Sequence, residues 1–188
     1  MLTVSHLCKS FSGKAVLEDV SLTLSPQQTV CLMAPSGRGK TTLLRCIAGL
    51  EKPDGGAVMG VPERIGYVFQ EDRLCDGFSA ADNVRLVTGN ALSDAEISRH
   101  LTELGLDGSM RQPVRELSGG MRRRAAICRA VCFGGGLLLL DEPFKGLDDV
   151  LRRQTADYIL RHRGEAAILC VTHDRADAAA LGADIITL

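Results

Sequence analysis

The segment Ala34–Thr41 contains the residue types of a phosphate-binding loop. It joins a predicted strand to a predicted helix and ends in Gly39, Lys40 and Thr41, which match the Gly-Lys-Ser/Thr end of such loops. Backbone N–H groups around residues 37–41 can surround an anion, and the N-terminus of the following helix adds positive potential. The spacing therefore predicts that this loop binds the phosphates of a nucleotide.

Several side chains of this loop have a chemical task in that prediction. Lys40 can reach the β- and γ-phosphates, the Thr41 hydroxyl can ligate Mg²⁺, and Thr42 can donate to the α-phosphate. The alternative is a glycine-rich turn with an incidental lysine, and the Gly-Lys-Thr-Thr run at a strand–helix junction argues against it. The residues predicted to bind the nucleotide are Ser36, Gly37, Arg38, Gly39, Lys40, Thr41 and Thr42.

Two acids follow the apolar run Leu137–Leu140, which has the composition of a buried parallel strand. Strand alternation points Asp141 and Glu142 in different directions. Asp141 can therefore hold Mg²⁺ while Glu142 faces a γ-phosphate and polarises the attacking water. An acidic strand end before a proline turn is the alternative, and the phosphate loop upstream favours the chemical role.

Three further features are weak signals when each is taken alone. Leu117–Met121 contains Ser-Gly-Gly before a predicted helix, Gln70 follows a predicted strand, and His173 follows another. A Ser-Gly-Gly run is usually a turn, a glutamine at a strand end is usually solvated, and a single histidine there is usually structural. Their order relative to the phosphate loop and the acid pair is what makes them informative.

Taken together, the motifs resemble those of the ATP-binding subunit of ABC transporters. Six motifs of that family have counterparts here in the family's order: Walker A at Ala34–Thr41, the Q-loop at Gln70, the signature at Leu117–Met121, Walker B with its glutamate at Leu137–Glu142, the D-loop at Gly146–Asp148 and the switch histidine at His173. The resemblance runs from the N-terminal strands to the last residue.

The resemblance implies a role for each motif, with ATP and Mg²⁺ as the ligands. The catalytic residues would be Glu142, His173 and Gln70. The residues that hold Mg²⁺ would be Thr41, Gln70 and Asp141. Phe11 lies where the family places an aromatic residue that stacks on adenine. Two subunits, identical or paralogous, would enclose each ATP between one Walker A loop and the other subunit's Ser118, Gly119 and Gly120.

Composition limits the possible partners. The 188 residues carry 22 Lys and Arg against 23 Asp and Glu, so that the net charge of −1 gives no reason to expect a nucleic-acid partner. The apolar runs, such as Leu137–Leu140, are far shorter than the roughly 20 residues that span a bilayer. We therefore expect a cytoplasmic protein. The resemblance implies that it is peripheral on the inner face of the cell membrane and binds a separate integral permease through a groove near Glu71–Asn83.

The order of the predicted elements gives the fold class. Strand–helix–strand alternation in the last third implies right-handed crossovers and a parallel sheet. With this sheet, the resemblance implies an α/β P-loop NTPase fold with a mainly parallel sheet core, an N-terminal antiparallel β subdomain and a small helical subdomain. Residues 1–188 would form a single ABC ATPase domain, in which roughly residues 72–130 form the helical insertion in a RecA-like core.

Some residues depart from the family or have more than one interpretation. Ala34 replaces a glycine, at a cost of about 1 kcal/mol if the position needs positive φ, and we expect the loop to tolerate it. Met121 replaces the signature glutamine, which predicts weaker dimerisation or slower turnover. The basic run Arg122–Arg124 is interpreted first as a solvated helix face, with contact to acidic groups of a partner as the alternative. Phe78 is predicted to be in the core.

Two other functional classes remain as alternatives. One is a soluble ABC-type ATPase acting on DNA or ribosomes, and the other is a small P-loop kinase. A kinase would need an acceptor site and has no use for Ser118–Gly120 or His173. Among transporters, the segments Val68–Leu74 and Phe144–Asp148 resemble those of importers of nitrate, sulfonates or taurine.

Overall fold

The computed structural model describes residues 1–35 and 37–187. In chain order the elements are β1 (Leu2–Phe11), β2 (Lys14–Leu24), β3 (Thr29–Met33), α1 (Lys40–Ile47), β4 (Gly55–Met59), β5 (Ile65–Val68), α2 (Ala80–Thr88), α3 (Asp94–Glu103), α4 (Gly119–Phe133), β6 (Leu137–Asp141), α5 (Asp149–His162), β7 (Ala167–Thr172), α6 (Arg175–Ala180) and β8 (Asp184–Thr187). Short 3₁₀ turns lie between α3 and α4.

The strands form two sheets. Strands β2, β1 and β4 make an antiparallel sheet in that order, and β5, β6, β7, β3 and β8 make a parallel one. Leu138 and Leu140 of β6 pack into a core beneath the helices, whereas Leu137 and Leu139 pack into a second core with α1 and the antiparallel sheet. This two-sided burial explains the uninterrupted apolar run, and it confirms the predicted α/β architecture.

The register of the parallel sheet brings three strand ends to one edge. Met33 of β3 pairs with Thr172 of β7, and Asp141 of β6 pairs with Val171. The phosphate loop, Glu142 and His173 follow directly after these strands, so they emerge side by side. Ligand sites of open α/β sheets lie at this carboxyl edge.

The chain between β5 and β6 is helical. Ser79 begins α2 by accepting a bond from the Asp82 N–H. Ser93–Glu96 has the Ser-x-x-Glu pattern that predicts a capping box, and α3 begins with that box, in which the Glu96 carboxylate accepts from the Ser93 N–H at 2.8 Å. The inner faces of α2, α3 and α4 share the core beneath the sheet, through residues such as Val84, Leu101 and Ile127.

Leu43, Leu44 and Ile47 lie on one helical face and predict a helix over Lys40–Leu50. This prediction is too long, because α1 ends at Ile47. Gly49 has φ +70°, and the Leu50 N–H donates to the Arg45 carbonyl at 2.9 Å, which closes the helix with a left-handed turn. Among the described residues, no helix is both long and apolar enough to cross a bilayer.

Candidate functional site

The phosphate loop connects β3 to α1, and two glycines shape its second half. Gly37 and Gly39 have φ values of +82° and +77°. A Cβ on Gly39 would lie 2.5 Å from the Val16 carbonyl oxygen, so glycine is required there for both conformation and space. Gly39 is also the N-cap of α1 and has no side chain to occupy the first N–H groups, which leaves them to a ligand. Ser36 lies outside the described residues.

Lys40 is buried at the start of α1, with 8% of its surface exposed. Its ammonium donates to the Ala34 carbonyl and, at 3.1 Å, to the Pro35 carbonyl. Ala34 does not have positive φ, so alanine carries no left-handed penalty at this position. The loop thus holds its own lysine by backbone carbonyls while the cation stays beside the cavity described next.

A cavity of about 310 Å³ opens between the loop and the end of β6. It is lined by Val16, Gly37, Gly39, Lys40, Thr41, Thr42, Gln70, Asp141 and Glu142. The structure therefore brings together most of the residues predicted to bind phosphate and Mg²⁺. Arg38 instead lines a neighbouring cavity of about 520 Å³, which shares Val16 and Gly37 with the first and extends along β2 from Lys14.

Asp141 is the most buried acid of this cavity, with 2% of its surface exposed. Burial raises the pKa of its carboxyl, and a hydrogen bond with the Thr41 side chain acts in the opposite direction. Its Oδ2 atom is buried and has no hydrogen-bond partner within the described parts of the chain. A cation would satisfy this oxygen, and Asp141, Thr41 and Gln70 supply the oxygen ligands that Mg²⁺ prefers. The residues present therefore fit Mg²⁺.

Glu142 and His173 form a pair beside Asp141. His173 Nδ1 lies 2.9 Å from Glu142 Oε1, and this hydrogen bond, with the charge of Glu142, raises the pKa of His173. Glu142 has φ +50°, an uncommon conformation for a residue other than glycine. The Glu142 N–H donates to the Val171 carbonyl at 2.9 Å, which ties the turn to the adjacent strand. A carboxylate in this position can orient and polarise a water molecule.

Phe11 lies at the hairpin between β1 and β2, where it pairs with Lys14. Lys14 lines the larger of the two cavities. The Phe11 ring is 45% exposed, and the Lys9 ammonium lies 5.1 Å from the ring centre. The ring does not line either of these two cavities, but an exposed face next to one of them is available for stacking on a base.

Ser118, Gly119 and Gly120 begin α4, away from the two cavities of the phosphate loop. Ser118 and Gly119 are exposed, and the Ser118 hydroxyl caps the helix by accepting from the Met121 N–H at 3.3 Å. A Cβ on Gly120 would lie 3.3 Å from Leu147, which follows Gly146 in the predicted D-loop. The N-terminus of α4 is thus open to a neighbouring molecule.

The expectation that Arg122–Arg124 form a solvated helix face is wrong. Arg123 and Arg124 are buried, with 3% and 8% of their surface exposed, and both donate to backbone carbonyls. Helical spacing places Arg123 one turn before the buried Ile127, and this spacing indicates that Arg123 is buried too. The positive charge of the arginines favoured the opposite prediction. Arg122 is half-buried, 3.8 Å from Asp72 of its own chain.

A glycine-shaped phosphate loop, a buried acid with an orphaned oxygen, and a glutamate paired with a histidine at one sheet edge define a P-loop nucleotide hydrolase. The ABC transporter family matches residues 17–145, and the chain belongs to this family. It is an ATP-binding, ATP-hydrolysing subunit whose ligands are ATP and Mg²⁺, as predicted.

Relatives and solved structures agree on this assignment. The chain is 40% identical over 190 residues to the aliphatic sulfonates import ATP-binding protein SsuB 2 of Burkholderia cenocepacia strain HI2424, covering 96% of this chain and 70% of that relative. It is 36% identical over 202 residues to the taurine import ATP-binding protein TauB of Escherichia coli O157:H7, covering 100% and 79%. A dimeric post-hydrolysis structure of the ATP-binding cassette MJ0796 with ADP and Pi superimposes with a TM-score of 0.87 at 26% identity, covering 100% and 94%. Neither a DNA- or ribosome-associated ATPase nor a kinase is favoured by these relatives.

Proposed function

We propose that this chain hydrolyses ATP between two subunits and thereby powers the uptake of an organic sulfonate through a separate membrane permease. The Glu142–His173 pair at 2.9 Å, beside the phosphate loop, is the observation that carries the hydrolytic step. The sulfonate and the direction of transport are inferred from the relatives' names, aliphatic sulfonate import and taurine import.

In this proposal the chain binds ATP chiefly by its phosphates. Lys40 and the first N–H groups of α1 hold the β- and γ-phosphates, together with the loop residues Ser36 to Thr42. Thr41, Gln70 and Asp141 hold Mg²⁺, which neutralises charge on the phosphate oxygens when it is bound. The exposed ring of Phe11 stacks on the adenine.

Glu142 then orients the water that attacks the γ-phosphorus. The bond from the water oxygen to phosphorus forms as the bridge to the β-phosphate breaks, and the products are ADP and inorganic phosphate. The Glu142 carboxylate accepts the hydrogen bond of the water, takes up its proton as the new bond forms, and returns that proton to the released phosphate. His173 keeps that carboxylate in place through Nδ1, and its exposed ring contacts the γ-phosphate.

The second subunit, a copy of this chain or a paralogue, presents Ser118, Gly119 and Gly120 to the γ-phosphate. Two facts support this step: the N-terminus of α4 is exposed, and it lies outside the cavities of its own phosphate loop. The helix has 15 residues, so its N-terminal N–H groups and dipole favour an anion. A site divided between chains makes hydrolysis depend on closure.

An apolar groove supports the proposal that this chain docks on the permease and therefore lies on the inner face of the membrane. It encloses about 330 Å³ between β5 and the helices α2 and α4 and is lined by Ala48, Leu50, Ile65, Tyr67, Phe69, Val87, Arg129, Ala130 and Phe133. Nearby on the helical side, Phe78 and Leu86 are 46% and 56% exposed, so the prediction that Phe78 is in the core is wrong. An amphipathic helix of the permease fits such a groove.

Two measurements test the proposal. Purified wild-type chain is expected to release phosphate from ATP in the presence of Mg²⁺, whereas a chain that binds ATP but transfers phosphate to a small molecule would be a kinase. In cells that lack their own sulfonate-import ATPase, expression of the chain with its permease is expected to restore taurine uptake. Hydrolysis without any sulfonate uptake would overturn the substrate assignment alone.

A further inference from the structure

Arg123 is a buried cation whose hydrogen-bonding capacity is fully used. Its Nε donates to the Pro143 carbonyl at 2.9 Å, and one terminal nitrogen donates to the carbonyls of Asp141 and Glu142 at 2.5 and 2.7 Å. The other terminal nitrogen donates to the Phe69 carbonyl at 2.5 Å and to the Asp72 carboxylate at 3.3 Å. These five bonds match the five N–H donors of a guanidinium.

The acceptors belong to two segments of this chain that carry predicted ATPase-site residues. Phe69 directly precedes Gln70, and the other three carbonyls belong to the turn that carries Asp141 and Glu142. Arg123 itself lies on α4, five residues after Ser118, the helix cap that we propose faces the second subunit's ATP. One side chain thus joins the Gln70 segment, the Glu142 turn and the helix of Ser118.

The turn at Glu142 needs such a support. A residue other than glycine with φ +50° is held in a sparsely populated conformation, which persists only when surrounding contacts impose it. Besides the bond within the turn from the Lys145 N–H to the Glu142 carbonyl at 3.2 Å, two bonds from other elements act on the Glu142 backbone: its N–H donates to the Val171 carbonyl, and its carbonyl accepts from Arg123. Arg123 supplies the second and also fixes the carbonyls on both sides.

We propose that Arg123 is a positioning residue for ATP hydrolysis, which fixes the backbone of Glu142 and Gln70 relative to each other and to α4. It acts through backbone carbonyls and does not touch the nucleotide. The inference rests on the proposed function, because it concerns the rate at which the Glu142 site turns over.

The test compares Arg123→Gln with Arg124→Gln. Arg124 is the neighbouring buried arginine. It donates to the carbonyls of Leu104 and Gly105 and, one turn back within α4, to that of Gly120, and none of its bonds reaches the Gln70 segment or the Glu142 turn. A glutamine offers two N–H donors on a shorter chain and cannot span the four carbonyls. We expect Arg123→Gln to lower kcat for ATP by about tenfold or more, as misplaced catalytic groups do, with nucleotide affinity changed less than about twofold.

Arg124→Gln is expected to lose stability without this fall in kcat per folded molecule. An equal loss of kcat in both variants, or a fall in Arg123→Gln that follows a loss of nucleotide affinity, would overturn the proposal. If Arg123→Gln does not fold, Arg123→Lys keeps the charge and most of the volume but lacks the fork, and it is expected to show the same split. Full activity of Arg123→Lys would also overturn it. Failure of the proposed function can be distinguished from failure of this inference, because the wild-type chain itself would then release no phosphate from ATP.

Discussion

Nδ1 of His173 lies 2.9 Å from Oε1 of Glu142, although the two residues are 31 positions apart in the chain. The contact exists because β6 and β7 are parallel neighbours whose ends are in register, with Asp141 opposite Val171. Glu142 Oε2 also lies 3.4 Å from the Thr172 hydroxyl. Residues after and at the end of β7 therefore contact the Glu142 side chain, while Arg123 of α4 contacts the backbone of its turn.

The pH behaviour of His173 follows from this pair. Its folded pKa lies above the ordinary 6.5, mainly because of the hydrogen bond to Glu142. A raised histidine pKa contributes stability that is fully present below pH 6.5 and is lost as pH rises through the folded value. In Glu142→Gln we expect the His173 pKa, measured by NMR titration, to fall back towards 6.5. An unchanged value would mean that the pair does not form in solution.

Removal of the Glu142 carboxylate should abolish turnover and spare binding. Glu142→Gln keeps the shape but cannot accept a proton, so we expect kcat to fall by about 10²–10⁴-fold with ATP affinity retained. Glu63→Gln, a change at an exposed acid remote from the site, serves as the control. Phosphate release measured on both variants checks this. Near-normal turnover in Glu142→Gln would assign the water-polarising role to another residue.

The charge of Asp141 should lower the stability of the ligand-free chain and allow it to bind Mg²⁺. Burial raises its folded pKa, so its charge is a cost to the folded chain that begins as pH rises through the unfolded pKa and is fully present above the folded pKa. Asp141→Asn removes the charge, and we expect the Tm without ligands to rise by a few degrees, at about 2–4 °C per kcal/mol. The further gain in Tm caused by ATP with Mg²⁺ should disappear. Thermal melts with and without Mg²⁺ measure both effects, and an intact Mg²⁺-dependent gain would argue against Asp141 as a ligand.

Gly39 and Gly37 provide a matched pair for the phosphate loop. Both have positive φ, but a Cβ on Gly39 would lie 2.5 Å from the Val16 carbonyl oxygen, whereas one on Gly37 would meet no atom within 4 Å. Gly37→Ala is expected to cost about 1 kcal/mol, the left-handed penalty alone. Gly39→Ala adds overpacking and should cost about 2–4 kcal/mol. Urea unfolding of the two variants compares them, and equal losses would mean that the loop relaxes away from β2.

Ser118 can be separated from an ordinary helix cap by comparison with Ser93. Each hydroxyl accepts from the N–H three residues on, at 3.3 Å in both cases. Loss of either cap is expected to cost about 1 kcal/mol. In a Glu142→Gln background with ATP, only Ser118→Ala should shift gel-filtration elution from dimer towards monomer. Equal elution of the two variants would contradict the proposed contact with the second subunit's ATP.

Local patterns were enough to predict most of the elements and several of their ends. The phosphate loop, the capping box at Ser93 and the buried strand before Asp141 each depend on neighbours within a few residues, since backbone geometry and hydrogen bonding act over that range. The surroundings of Arg123 could not be predicted in this way. Its carbonyl partners lie between 18 and 54 positions away in the chain, and its charge alone suggested solvent.

The sequence by itself determined the chemistry of this protein: which residues can bind phosphate, hold Mg²⁺ and polarise water, and the order in which they occur. Only the tertiary structure decided which of them meet. The strand order β5-β6-β7-β3-β8 places Glu142 next to His173 and opens the Asp141 carboxylate towards the loop of Lys40. Strand order depends on how two sheet faces are covered by distant segments, and that free energy is a property of the whole packed chain.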